Sequence, residues 1–225
     1  MPRPRTISNQ QILEAAKCCF LEQGPHVNTE VIAKDLGVSS QAILKRFGSK
    51  QELMLAALAP DDEAAWIPLV EAGPNDQPIR QQLTMILEEL ATFFVQLARQ
   101  ISVLHFSGIN PRNLMDRYPE PPPLRDIRIL AAWLDRAANK KLIRPVDSSA
   151  MAMMMLTSMH GPAMLTDMLG KHPTGHSQCQ YVNFVTDIIL QGLQPESEKS
   201  SDFSVQTSPP KTTQTNAVKQ TGKSA

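Results

Sequence analysis

The chain lacks several things, and each shortage excludes a class of protein. Cysteine appears three times in 225 residues, as Cys18, Cys19 and Cys179. That number gives no disulfide framework, and the spacing offers no metal-ligand set. No apolar run reaches the roughly 20 residues that a bilayer crossing needs. The most apolar window, 150–170, is interrupted by His160, Gly161, Pro162 and Asp167. Arg3 and Arg5 are not followed by an apolar stretch, so no secretory signal is expected. HExxH, CxxC, GxSxG and P-loop patterns do not occur, and no nucleophile–base pairing stands out. The expectation is a cytoplasmic, non-enzymatic protein without cofactor, metal or membrane partner.

The chain also lacks net charge. Lys and Arg total 22, and so do Asp and Glu. Neutrality excludes a wholesale polyanion binder of the histone kind, but it does not exclude a local basic patch. The distribution is uneven. Residues 1–50 hold seven bases against four acids, and residues 51–100 hold two against eight. A basic first unit is followed by an acidic stretch that includes Asp61, Asp62, Glu63, Glu71 and Asp76.

What the chain does have is helical period. Ile12, Leu13, Ala16, Cys19 and Phe20 form a stripe over 8–23, with Ser8 or Asn9 as cap and Gly24-Pro25 as stop. A short helix over 29–36 is capped by Asn28 and ended by Gly37. The next, over 39–47, is capped by Ser39, and a fourth over 50–58 is capped by Ser49. Longer helices follow over 62–72 (shortened or kinked by Pro68), 78–106, 124–143, about 148–169 and 176–193. Neither an alternating strand pattern nor an internal repeat is found, so the fold class is all-α. The expected units are 1–54, a three-helix head with a fourth helix leading out, and 55–195, a helical bundle. Residues 196–225 form a Ser-, Thr- and Gln-rich tail too poor in apolar residues to offset chain entropy, and disorder is expected there.

The stretch 28–53 carries function. A short helix, a turn at Gly37-Val38-Ser39 and a second helix make a helix-turn-helix. Ile43 and Phe47 hold the second helix inward. That leaves Ser40, Gln41, Leu44 and Lys45 on its outer face, with Ala42 and Arg46 at the edges. Gln pairs with adenine, Lys or Arg with guanine, and Ala42 or Leu44 can touch a thymine methyl.

The sequence here resembles the tetracycline-repressor-like family of bacterial regulators. The residues that carry the resemblance are Ile12-Leu13-Glu14-Ala15-Ala16, Phe20, Gly24, Ile32-Ala33, Leu36-Gly37-Val38-Ser39 and Phe47-Gly48-Ser49-Lys50-Gln51-Glu52-Leu53. His160-Gly161 and the closing run Asp187–Leu193 are similar to the family's last two helices. The resemblance implies a homodimer through helices 148–169 and 176–193, bound to double-stranded operator DNA and released by a small-molecule effector. It implies that Asn28 and Thr29 meet the DNA backbone, that Gln41, Ala42 and Lys45 read bases, and that Lys50 meets phosphate. Three positions depart from the family: Asn28 and Ala42 stand where Thr is common, and Leu44 where Tyr is common. Arg46 can compensate for the lost Tyr contact, and Arg3 and Arg5 can reach DNA as an arm.

The long helices suggest walls for an effector cavity. Phe93, Phe94, Leu97, Leu104, Met115, Trp133 and Met155 are the apolar candidates, and His105 and His160 the polar ones. The expected function is a transcriptional regulator, a repressor released by an apolar or amphipathic ligand. The alternative is a helical-bundle small-molecule-binding protein or enzyme with a vestigial DNA-binding head.

Overall fold

The computed structural model describes residues 7–60 and 64–193. Among these the fold is all-α, with ten helices and no strand. Arg3, Arg5, Asp61, Asp62, Glu63 and the tail 196–225 lie outside the described residues.

The first four helices are α1 (Asn9–Gln23), α2 (Thr29–Leu36), α3 (Ser40–Phe47) and α4 (Lys50–Ala57). Each starts at a side-chain cap. Ser8 and Gln11 form a reciprocal capping box, in which the Ser8 hydroxyl accepts from the Gln11 N–H at 3.2 Å and the Gln11 side chain accepts from the Ser8 N–H at 3.0 Å. Asn28 accepts from Glu30 N–H at 3.1 Å, Ser39 from Ala42 N–H at 3.2 Å, and Ser49 from Glu52 N–H at 3.0 Å. Such caps contribute about 1 kcal/mol each, which matters in helices only two turns long. Ile12, Phe20, Ile32, Ile43, Leu53 and Leu58 fill the centre of this head.

The remaining helices are α5 (Trp66–Glu71), α6 (Ile79–Phe106), α7 (Pro111–Met115), α8 (Pro122–Asn139), α9 (Ser148–Leu169) and α10 (Gln178–Leu193). α6 packs against both α9 and α10, and α8 packs against α9. Their apolar faces join in a second cluster centred on Leu83, Leu87, Leu90, Trp133, Leu134 and Met155. α6 belongs to both clusters. Its earlier turns place Leu83 to Ala98 in the bundle, while Leu104 enters the head cluster together with Ile109 and Leu114. At 28 residues and about 1.5 Å per residue, it is a rod of about 42 Å shared by the two cores.

Three elements differ from the sequence expectation. α5 begins at Trp66, so Pro68 sits in its first turn, where a missing N–H costs little. α8 starts at Pro122 rather than 124, for the same reason, and ends at Asn139 rather than 143. It ends there because Lys141 adopts a left-handed φ of 60° and Leu142 N–H closes back on Ala137 O at 3.0 Å. α7 was not expected at all. Asn110 caps it, accepting from Arg112 N–H at 2.9 Å, and Pro111 takes its first position.

Candidate functional site

The turn between α2 and α3 is made by Gly37, whose φ of 66° lies in the left-handed region. Its N–H donates to Lys34 O at 3.2 Å, and Val38 N–H donates to Ala33 O at 3.0 Å. Half-buried Val38 and fully buried Ile43 fix α3 against the head. Gln41, Ala42, Lys45 and Arg46 are exposed on α3, and Ser40 and Leu44 are half-buried. Ser39 and Asn28 are exposed caps, and Lys50 opens α4 half-buried. Thr29 differs from the rest. It is 7% exposed, so its side chain is turned into the head and not toward a surface-bound backbone. Arg46 has a second task that sequence reasoning did not find: its Nη1 donates to Ile7 O at 2.5 Å, tying the segment before α1 to α3.

A cavity of about 240 Å³ lies between α6, α7, α8 and α9. Of the residues expected to line it, Phe93, Phe94, Leu97, Met115 and His160 do so. Leu104, His105, Trp133 and Met155 do not. Leu104 is one turn past Ile101, where α6 leaves the cavity for the head cluster. His105 is exposed at the end of the same helix. Trp133 and Met155 are buried in the bundle core. Lining residues not anticipated from the sequence include Ile101, Leu114, Asp126, Ile127 and Leu156. The available signal was the Asn110-Pro111 start of α7 and the Pro122-Pro123 start of α8, both of which resemble chain breaks.

The cavity wall is apolar with three polar side chains. Thr157 donates to Met153 O at 2.8 Å. Asp126 Oδ1 accepts from the guanidinium of Arg125 at 3.2 Å. His160 stacks on Phe94 with ring centroids 5.0 Å apart, and its Nε2 is buried without a hydrogen-bond partner. Burial pushes the imidazole pKa below its ordinary value, which keeps the ring neutral near pH 7.

A further apolar surface runs over α9 and α10. Met154, Met168, Phe184 and Ile188 are all exposed, Phe184 at 60% and Met168 at 73%. Arg80 on α6 pairs with Asp187 on α10 and holds its carboxyl below the usual carboxylate range. Cys19 is buried, and burial, aided by Asp35, pushes its thiol pKa up, so it stays an inert thiol. No helix among the described residues is long and apolar enough to cross a membrane.

A capped helix-turn-helix head carried on a helical bundle defines the helix-turn-helix regulator class of fold. Residues 12–57 match the model of bacterial regulatory proteins of the tetR family. The chain is 27% identical over 128 residues to the HTH-type transcriptional repressor BdcR of Escherichia coli, an alignment that spans 56% of this chain and 61% of that relative. Among solved structures, a tetR-family regulator from Mesorhizobium loti has a TM-score of 0.67 at 16% identity, covering 83% of this chain and 96% of that one. A tetR transcription regulator from Haloarcula marismortui has a TM-score of 0.63 at 17% identity, covering 83% and 98%. The match over 12–57 falls on the helix-turn-helix head, and the likeness to the solved structures shows that the whole described chain shares the fold of such regulators.

Proposed function

We propose that this chain is an operator-binding repressor that acts as a homodimer and releases DNA when a small apolar molecule enters the cavity bounded by α6 to α9. We take 1–54 as the DNA-binding domain, 55–195 as the ligand-binding and dimerisation domain, and 196–225 as a separate tail. The observation that carries this reading is the position of Leu114. It lines the cavity and belongs to the head's own hydrophobic cluster. A ligand that moves the wall at α7 therefore disturbs the packing that orients α3. Gln41, Ala42 and Lys45 supply the base-reading face, and Asn28, Ser39 and Lys50 the backbone contacts. Leu44 and Ser40, half-buried, serve at its margin, as Arg46 does beside its bond to Ile7 O. Thr29 contributes through its backbone.

The exposed apolar residues of α9 and α10 support pairing of two chains through these helices. Pairing would present two α3 helices to successive major grooves, about 34–36 Å apart or more. Release follows if the ligand prefers a conformation in which that spacing is wrong, and ligand and DNA then weaken each other reciprocally. A gel shift on the DNA upstream of the chain's own coding sequence, repeated over several salt concentrations, tests the reading. A sequence-specific shift is expected at low salt, and binding indifferent to sequence would overturn it.

A further inference from the structure

The cavity is specific about what it admits. Its volume is about 240 Å³. A dry apolar cavity of about 150 Å³ takes up benzene, so this one suits a molecule of about ten heavy atoms. Phe93, Phe94, Leu97 and Ile127 provide apolar wall for a ring or a short chain.

The charge of the occupant is constrained as well. Among the lining residues there is no Lys or Arg, and the single ionisable acid is Asp126. An anion entering this wall would lose its water, gain no cation and face a carboxylate, which is costly. A ligand cation is not needed either, because Asp126 is already bonded to Arg125. The occupant is therefore neutral.

One polar group remains to be satisfied. The Thr157 hydroxyl directs its one proton at Met153 O and Met154 O, so its donor is already satisfied. His160 Nε2 is buried with no partner, and a buried polar atom in that state calls for an occupant. A neutral imidazole nitrogen is a donor in one tautomer and an acceptor in the other. A hydroxyl meets either need, whereas a ketone or ether meets only one.

We infer that the cavity binds a neutral, apolar, singly hydroxylated small molecule of the alkylphenol class, with its hydroxyl on His160 and its hydrocarbon against Phe93, Phe94 and Leu97. The inference rests on the reading of this cavity as the effector site and specifies that effector's chemistry.

The test uses the full chain and three compounds of matched shape: 4-propylphenol, propylbenzene and 4-propylbenzoate. Binding is measured by calorimetry and thermal shift at about pH 8, where the benzoate is ionised and the phenol is not. 4-Propylphenol is expected to bind best, propylbenzene about tenfold more weakly for want of one hydrogen bond, and 4-propylbenzoate not at all. His160→Phe should bring the phenol down to the level of propylbenzene, and His160→Gln should restore part of the preference. Ile127→Trp, which fills the cavity, should abolish binding of both neutral compounds. The inference is overturned by benzoate binding as tight as phenol binding, by an unchanged phenol preference in His160→Phe, by undiminished binding in Ile127→Trp, or by no binding of 4-propylphenol. These readings need no DNA. A chain that shifts its operator but ignores all three compounds defeats this inference alone, and a chain that binds the phenol but shifts no DNA defeats the regulator reading alone.

Discussion

The guanidinium of Arg117, just beyond α7, bonds to the carboxylate of Glu52 on α4. This ion pair links the segment that follows α7, whose Leu114 and Met115 line the cavity, to the helix that opens with Lys50. It parallels the apolar link through Leu114 and adds a polar arm to the same route. The pair is solvent-exposed, so Arg117→Ala should cost less than about 1 kcal/mol of stability. DNA affinity without ligand should change little. The loss of DNA affinity caused by ligand, typically about 5–150-fold in coupled systems, should shrink. Paired gel shifts with and without 4-propylphenol measure this, and an unchanged ligand effect would remove Arg117 from the route.

The two lysines of the head should separate by their readouts. Lys45 is exposed on the outer face of α3, and Lys50 sits at the first position of α4. Lys45→Ala should alter sequence preference, with a loss of about 1–3 kcal/mol at one base position and little elsewhere. Lys50→Ala should weaken all sequences alike and lower the salt slope by about one. Binding-site selection followed by salt titration on the preferred and scrambled sites distinguishes them.

The head was largely legible because its signals are local. Asn28, Ser39 and Ser49 each precede a short apolar-periodic segment, and each caps as its chemistry dictates. Gly37 announces a left-handed stop. The cavity was only half legible because periodicity tells which residues are apolar but not which of them border a void. Phe94 and Leu97 border it, whereas Trp133 and Met155 on neighbouring helices are packed solid. Leu104 shares the stripe of Leu97, but α6 passes from one cluster to the other between them. α7 has five residues, too few for a period to show, and with it went Leu114. Thr29 was misplaced because the first turn of α2 faces inward.

Gly37→Ala tests the turn itself. A Cβ at this position would meet nothing within 4 Å, so crowding is not the issue. The cost is conformational, since φ is 66°, and a left-handed residue with a Cβ costs about 1–2 kcal/mol. Thermal melting should fall accordingly for Gly37→Ala and less for Gly37→Asn, whose side chain tolerates this region. Equal melting of all three chains would show that the turn relaxes.

Phe184→Glu places a charge on the exposed face of α10, where Phe184 is 60% exposed. A monomer would tolerate it, because the side chain already meets water. A dimer paired through α9 and α10 would bury that charge unpaired, at a cost of several kcal/mol. Sedimentation should therefore show a shift toward monomer with helicity retained, and operator affinity should fall with it. Unchanged sedimentation would move the interface elsewhere.

His160 should leave a signature in the pH dependence of stability. Its folded-state pKa is lowered by burial, while in the unfolded chain it returns to about 6.5. Above that value both states carry neutral imidazole, and the cost of charging it is not felt. As the pH falls below it, the unfolded chain takes the proton first, and the native state lags until its own lower pKa is reached. The unfolded state then binds more protons, so stability declines with falling pH across this window. Asp126, the other titratable group on the cavity wall, is held by Arg125 and lies on the opposing helix α8. The chain holds four other histidines, so the relevant quantity is a difference between chains. Melting temperatures of the native chain and of His160→Phe, followed from about pH 7.5 to about 5.5 around the ordinary histidine value, should diverge, with the native chain losing more. Parallel curves would mean that the ring meets water, or another partner, when it becomes charged.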